Sequence, residues 1–511
     1  MPFLLMIFLT LVCLPELRDW PAPWGIQSSA WSISWTLFIV AFVAWNAWRI
    51  NHQLVVALSA QVPQRSVGVR RYERQRFVSQ ILLLVGYMLT LVVFGWGWTV
   101  GQFGSAESAA AGGFPGSEVL LLAPFLLAQL LCWTWDYDAD RALHPSPPRE
   151  EGIPQTATTS RRPRDGRIAY VIFQARQKLA LVFLPVLLLI FLKEALRLIP
   201  RQALEGWEGV VDVIACLMLL AVFVTLPWMV RFALGLRPLP DGPIRSRLLA
   251  ASRRLGFRCS GLLLWNTRSG MANAMVIGII PWIRYVVFTD RLLEEFTPQE
   301  VEAVFGHEVG HVKHQHMLYY FGFLLVSFAV LGALGKVADV FLREYFGTEG
   351  WLGFLSDTFN LHNHGYLAVL PMIGVLLSYI FVVFGFLSRR CERQADIFGC
   401  KAVSCTSQVC LGHPAELALP RGYLGLCPTG IHTFISALEK VAVVNGINRD
   451  KPGFLHSWQH STIGRRVMFL QQVLVNPQLE QKFQSRVRLV KWALFITLSC
   501  TLAALYATNG F

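Results

Sequence analysis

Eight mostly apolar stretches, 31–48, 78–100, 117–135, 179–196, 210–230, 317–336, 366–387 and 489–507, constrain this chain more than any other feature. Each is close to the ~20 residues a helix needs to cross a hydrocarbon core. Any one of them could be the buried helix of a soluble domain, but eight in one chain point to an α-helical multi-pass membrane protein. The composition agrees: 54% hydrophobic and 15% charged residues exclude disordered, collagen-like and coiled-coil chains. A shorter run at 3–15 has no basic residue before it and no small-residue cleavage pattern after it. It reads as a further span rather than a removed signal, giving about eight or nine spans in all.

A formal charge of +13 would suggest nucleic acid as a partner of a soluble protein. Here much of the excess sits in loops that orient spans. Residues 51–77 carry Arg65, Arg70, Arg71, Arg74 and Arg76, and residues 136–178 carry Arg141, Arg149, Arg161, Arg162, Arg164, Arg167, Arg176 and Lys178, whereas the intervening loop 101–116 has no Lys or Arg. Cytoplasmic loops retain Lys and Arg, so 51–77 and 136–178 are expected inside the cell. Counting onward places 231–316 and 388–488 on that same side and 337–365 outside. No nucleic-acid partner is expected; the bilayer is. Ten cysteines without paired spacing exclude a disulfide scaffold. Residues 143–165 read as a flexible loop, and 401–430, next to Cys400 and containing Cys405, Cys410 and Cys427, as an irregular insertion without the C-x-x-C spacing of a structural zinc site.

The first large polar segment holds TPQE followed by VEAVFGHEVGHVKHQH. Thr297 and Glu300 have capping-box spacing, and Pro298 suits the first helical position, so a helix should begin at about 298. On it His307 and His311 are one turn apart and share a face, where both imidazoles can reach one metal ion. Glu308 lies about 100° round, at the edge of that face, able to touch a metal-bound water without being a ligand. His314 continues the stripe, but three side chains of one straight helix cannot surround a tetrahedral ion. His316 on an unbroken helix points to the opposite side. Both read as polar residues where the helix nears the membrane.

A catalytic zinc takes three protein ligands and leaves one position for water. Beyond the two apolar runs stands Ser388-Arg389-Arg390-Cys391-Glu392-Arg393-Gln394-Ala395-Asp396. Glu392 and Asp396, four residues apart, share a helical face: one carboxylate for the metal, the other to accept the N–H of a ligating histidine. Three arginines make a solvated charged turn an equally good reading of the same residues.

Four motifs in order resemble the membrane zinc metallopeptidases that include the CAAX prenyl protease and the heat-shock-type membrane protease. They are Asn273-Ala274-Met275-Val276-Ile277-Gly278 with Arg284-Tyr285-Val286-Val287-Phe288-Thr289-Asp290, the H-E-x-x-H helix, the Ser388-Arg389 to Asp396 cluster, and His460 with Arg466 in HSTIGRRV. The resemblance spans roughly 250–470. It implies one Zn2+ per chain held by His307, His311 and Glu392, with Glu308 as general base and His460 stabilising the oxyanion. It further implies that Asp396 and Arg466 support the ligands and that Asn273, Ala274, Met275 and Val276 form an edge strand that pairs with extended substrate. The proline expected after the late histidine is Ser461 here, with His456 close by.

The implied architecture is a membrane region (1–236), a cytoplasmic α+β zincin-type metalloprotease domain in two parts (237–316 and 388–488) divided by a membrane hairpin (317–387), and a C-terminal span (489–511). The implied activity is zinc-dependent endopeptidase action on membrane-associated or lipidated proteins at the cytoplasmic face of a cell membrane, the bacterial inner membrane or the endoplasmic reticulum. Two alternatives stand beside it. One is a zinc-fold sensor that cleaves itself or one regulator; the outside loop 337–365 is short for a ligand-binding domain. The other is a transporter or scaffold; the runs hold few charges, Asp212 being an exception.

Overall fold

A computed structural model describes residues 28–59, 62–103, 116–143, 166–197, 208–268, 270–323, 326–327, 378–404, 426–450 and 460–509. The run at 3–15, most of the loop 101–116, the loop 143–165 apart from its first residue, the loop 337–365, most of the 317–387 hairpin, His456 and most of the 401–430 insertion lie outside the described residues. The chain divides into two compact units, Met1–Gly235 and Leu236–Phe511.

The first unit is helical: α1 (Ser29–Ser59), α2 (Val62–Val92), α3 (Trp96–Gln102), α4 (Ser117–Leu143), α5 (Arg167–Ala175), a π-helical turn at Arg176–Ala180, α6 (Leu181–Arg197) and α7 (Glu208–Leu234). Large apolar side chains cover outward faces as well as contacts; Phe38, Phe42, Trp45, Phe77, Phe191 and Phe232 are all exposed. A helix apolar all round needs an apolar solvent. Among the described residues, α1 and α4 are long and apolar enough to cross a membrane, and up to four spans result if each of two bent pairs counts as one. The bends are 49° between α2 and α3 and 62° around the π turn. The first falls at Gly95, whose φ of 66° favours glycine. Where the apolar runs end, polar groups join the helices: Tyr72 donates to Asn51 Oδ1 (3.1 Å), and Asn51 donates to Asp136 Oδ1 (2.9 Å). Burial pushes the Tyr72 hydroxyl up to about 12.

The second unit holds β1 (Arg237–Pro238), α8 (Pro243–Arg254), β2 (Gly261–Trp265), β3 (Ala274–Ile277), β4 (Tyr285–Thr289), α9 (Asp290–Glu295) and α10 (Pro298–Lys313). Further along the chain come α11 (Gly385–Val403), α12 (Pro428–Val444), α13 (Ile463–Val475) and α14 (Gln478–Asn509). The runs at 210–230 and 489–507 are thus helical within α7 and α14. The sheet order is β1-β2-β4-β3, with β2 parallel to β4 and β3 antiparallel to it, so β3 is an edge. The apolar sequence YVVF of β4 is buried along its length, as a central strand covered on both faces should be.

Val286 and Phe288 of the sheet, Leu248 of α8 and Val301, Phe305 and Val309 of α10 form one core. Ile397 and Cys400 of α11, Phe434 of α12 and Val467 and Leu470 of α13 form another, which Ala303 of α10 joins. Two glycines let α10 and α11 approach closely: a Cβ on Gly310 would lie 2.9 Å from Phe398 Cβ and 3.1 Å from Ala395 Cα, and one on Gly306 would collide with Ala402. That approach brings the polar faces of the two helices within bonding range.

Candidate metal centre

The helix bearing the histidines starts where the sequence predicts. Glu300 N–H donates to Thr297 Oγ1 (3.3 Å) and Thr297 N–H donates to Glu300 Oε2 (2.9 Å), closing the capping box. Glu300 also accepts from Ser436 Oγ (2.7 Å) and pairs with Lys440 (3.3 Å), which anchors the start of α10 to α12. Glu302 pairs with Arg247 and Arg254 of α8.

In the last two turns of α10, His307 and His311 bring their Nε2 atoms to 3.2 Å. Glu392 of α11 closes the triangle, with Oε2 3.7 Å from His307 Nε2 and Oε1 3.6 Å from His311 Nε2. One ligand atom from each of the three residues lies within 4.8 Å of the others. Ligands about 2.0–2.2 Å from a tetrahedral zinc are themselves about 3.3 Å apart, so the donor set fits such an ion in both chemistry and spacing. Burial, with the neighbouring His307, holds the His311 imidazole down at about 4, hence neutral and able to ligate at pH 7. Burial works against a charged His307 too, but Asp396 beside it raises its pKa.

Around the triangle the other expected residues converge. Asp396, fully buried one turn beyond Glu392, places Oδ1 3.0 Å from His307 Nδ1, close but without an aligned hydrogen bond. Arg466 of α13 grips Asp396 with two bonds, Nε donating to Oδ2 at 2.9 Å and Nη2 to Oδ1, and its Nη1 lies 3.6 Å from Glu392. Both contacts of Arg466 are thus to carboxylates. His460, 61% exposed, has Nδ1 2.9 Å from Glu392 Oε1. Burial alone would raise the Glu392 carboxyl, yet His460, Arg466 and His307 hold it well below the usual carboxylate range. The next residue, Ser461, has a φ of 63°, which proline, locked near −65°, cannot adopt. The departure from the family pattern thus matches the local backbone.

Glu308 is half-buried beside the triangle, and burial raises its carboxyl to about 7. It accepts a backbone hydrogen bond from Val276 of β3. Met275 and Val276 are half-buried at the sheet edge and Ala274 is buried. The backbone of Asn273 is already engaged: its N–H donates to Thr289 Oγ1 (2.9 Å) and its carbonyl accepts from the Thr289 N–H (3.0 Å).

His316 is not where an unbroken helix would put it. α10 stops at Lys313, and Gln315 takes a left-handed φ of 57°. That break swings His316 back behind His311, with 3.0 Å between their Nδ1 atoms. It is fully buried and also meets Gln394. Neither Gln394 nor its partner Gln484 stands out by residue type or spacing. His314 lies beside Phe398, and its carbonyl accepts from Lys491 Nζ (2.8 Å).

Two imidazoles one turn apart, a carboxylate from a facing helix and a glutamate beside them are the donor set of an H-E-x-x-H metallopeptidase. Residues 239–413 match the sequence profile of Peptidase family M48. The chain is 27% identical over 220 residues to a protein of Moorella thermoacetica named "Protease HtpX homolog", covering 42% of this chain and 65% of that one. It is 28% identical over 167 residues to the "Probable CAAX prenyl protease 1" of Schizosaccharomyces pombe, covering 32% of this chain and 33% of that one. The matched stretch therefore spans less than two-thirds of either relative. A solved structure titled "Crystal Structure of S. mikatae Ste24p" aligns with 88% of this chain and 99% of its own at 13% identity and a TM-score of 0.44. Over the matched stretch, which includes the first three of the four motifs, the chain is similar to both named branches of this metallopeptidase family.

Proposed function

We propose that this protein is a zinc-dependent endopeptidase of a cell membrane that cuts membrane-associated or lipidated proteins at the cytoplasmic face. The observation that carries the reading is the triangle of His307 Nε2, His311 Nε2 and Glu392, with Glu308 at its edge. A zinc ion bound there would polarise a substrate carbonyl and acidify a water. Glu308 takes the proton of the attacking water and hands it to the leaving amine, a role suited to a carboxyl raised to about 7. Val276, which faces outward from the sheet edge beside Glu308, offers its carbonyl to an extended peptide. His460, the most exposed group at the centre, is placed to meet the oxyanion once it leaves Glu392. Arg466 and Asp396 hold Glu392 and His307 in position. The name of the S. pombe relative supports prenylated substrates, and membrane-protein quality control fits the same site.

The test is Glu308→Gln in the full-length protein. Zinc content should stay at one per chain while proteolysis falls by ~10²-fold or more. Ordinary turnover by that variant would sink the reading. Membrane proteomes of cells making wild type or this variant would then separate the substrate classes: lipidated peptides accumulate in one case, misassembled membrane proteins in the other.

A further inference from the structure

We propose that His316, Gln394 and Gln484 form a hydrogen-bonded relay that sets the tautomer of His311, making His316 a positioning residue for the metal centre. This rests on the metallopeptidase reading above. The chain of contacts runs from His311 Nδ1 to His316 Nδ1 (3.0 Å), from His316 Nε2 to Gln394 Oε1 (3.0 Å) and from Gln394 Nε2 to Gln484 Oε1 (2.5 Å). It links α10, the turn after it, α11 and α14.

Donor and acceptor roles propagate along such a chain. Gln394 gives its N–H to Gln484, so its carbonyl faces His316, and His316 Nε2 carries a hydrogen. A neutral imidazole with its hydrogen on Nε2 has a lone pair on Nδ1. His311 Nδ1 must then be the donor, which leaves the lone pair of His311 Nε2 aimed at His307 and Glu392. The reverse polarity, with both amides turned over, puts a hydrogen on His311 Nε2 and blocks ligation. Relay polarity and metal binding are therefore a single choice.

The geometry is built for this contact. His311 and His316 meet edge to face, with ring centres 4.9 Å apart and planes at 84°. His316 is 0% exposed and Gln394 4%, so water does not compete for their bonds. The contact exists only because the chain leaves helical geometry at Gln315, whose φ of 57° lies in the left-handed region that a residue with a Cβ rarely adopts.

Asparagine and glutamine dissect the imidazole. His316→Asn places a carbonyl near Nδ1 and keeps the acceptor for His311; His316→Gln places an amide nitrogen near Nε2 and keeps only the bond to Gln394. The experiment titrates the purified full-length protein with zinc against a competing chelator and follows unfolding of each variant in excess chelator. His316→Ala and His316→Gln should lose about 10–100-fold in zinc affinity, while His316→Asn retains it, with all three metal-free proteins unfolding alike. If His316→Ala does not fold, the Asn and Gln pair decides. Wild-type zinc affinity in His316→Gln, or equal loss in Asn and Gln, overturns the relay and leaves the metallopeptidase reading standing. A wild type that binds no zinc overturns that reading, and the relay with it.

Discussion

At the scale of single residues, the centre depends on one buried ion pair more than on its exposed members. Asp396 is fully buried and gripped by Arg466, which is itself nearly buried. Desolvating both charges is offset only while both are present, and removing one leaves the other unpaired in a low-dielectric interior. Asp396→Asn keeps the shape but turns an amide N–H toward a group that is itself a donor, either Arg466 or His307 Nδ1. The expected cost is about 3–5 kcal/mol of stability, read as a lowered unfolding midpoint in excess chelator. Zinc affinity should fall about 10–100-fold as His307 loses its support. An unfolding midpoint at the wild-type value would show that the pair is not structural. By contrast His460, more than half exposed, should alter turnover with little effect on unfolding.

At the scale of elements, the decisive fit is between α10 and α11. Alanine is the better helix former by about 1 kcal/mol, so Gly310→Ala would stabilise α10 on its own. The added methyl would meet Ala395 Cα at 3.1 Å, and that neighbour is backbone, which can yield only by moving the helix. Overpacking costs about 1–3 kcal/mol, so the clash outweighs the propensity gain. The variant should bind zinc more weakly because Glu392 rides on the displaced helix; tighter or unchanged binding in a chelator competition would refute the close-packing account. The sequence made part of this arrangement legible. Thr297 and Glu300 mark the start of α10 because capping is local chemistry, and the four-residue spacing of Glu392 and Asp396 marks the face of α11. His316 was hidden because Gln315 breaks the helix without a glycine or proline to signal it. The engaged backbone of Asn273 was hidden as well, because apolar alternation reports which faces of a strand are covered and says nothing of which hydrogen bonds are taken.

At the scale of the whole molecule, if the apolar runs between α10 and α11 cross a membrane as a hairpin, the two polar stretches they divide share one side of it, as the approach of His307 to Glu392 requires. Hydropathy finds apolar length but is blind to direction, so it did not reveal the 62° bend around Arg176–Ala180. That bend decides the topology. If α5 and α6 cross once and α7 crosses back, the centre lies on the same side as the arginine-rich segments 51–77 and 136–178, of which the structure makes most of the first helical rather than a loop. If the bent pair enters and leaves by one face, the parity of everything after it is reversed, and the candidate metal centre would face away from the basic segments. The charge pattern argues for crossing, because Arg231, Arg237, Arg245, Arg247, Arg253 and Arg254 follow the apolar run of α7 and resist translocation, which favours placing them on the side of the other basic segments. Protease sites inserted singly into 101–116, 143–165 and 401–430, in sealed vesicles of known orientation, test the choice. Cleavage of 143–165 and 401–430 from the cytoplasmic side, and of 101–116 only from the other, is the expected pattern. Cleavage of 143–165 and 401–430 from opposite sides would mean that the bent pair is re-entrant and that the site faces away from the cytoplasm.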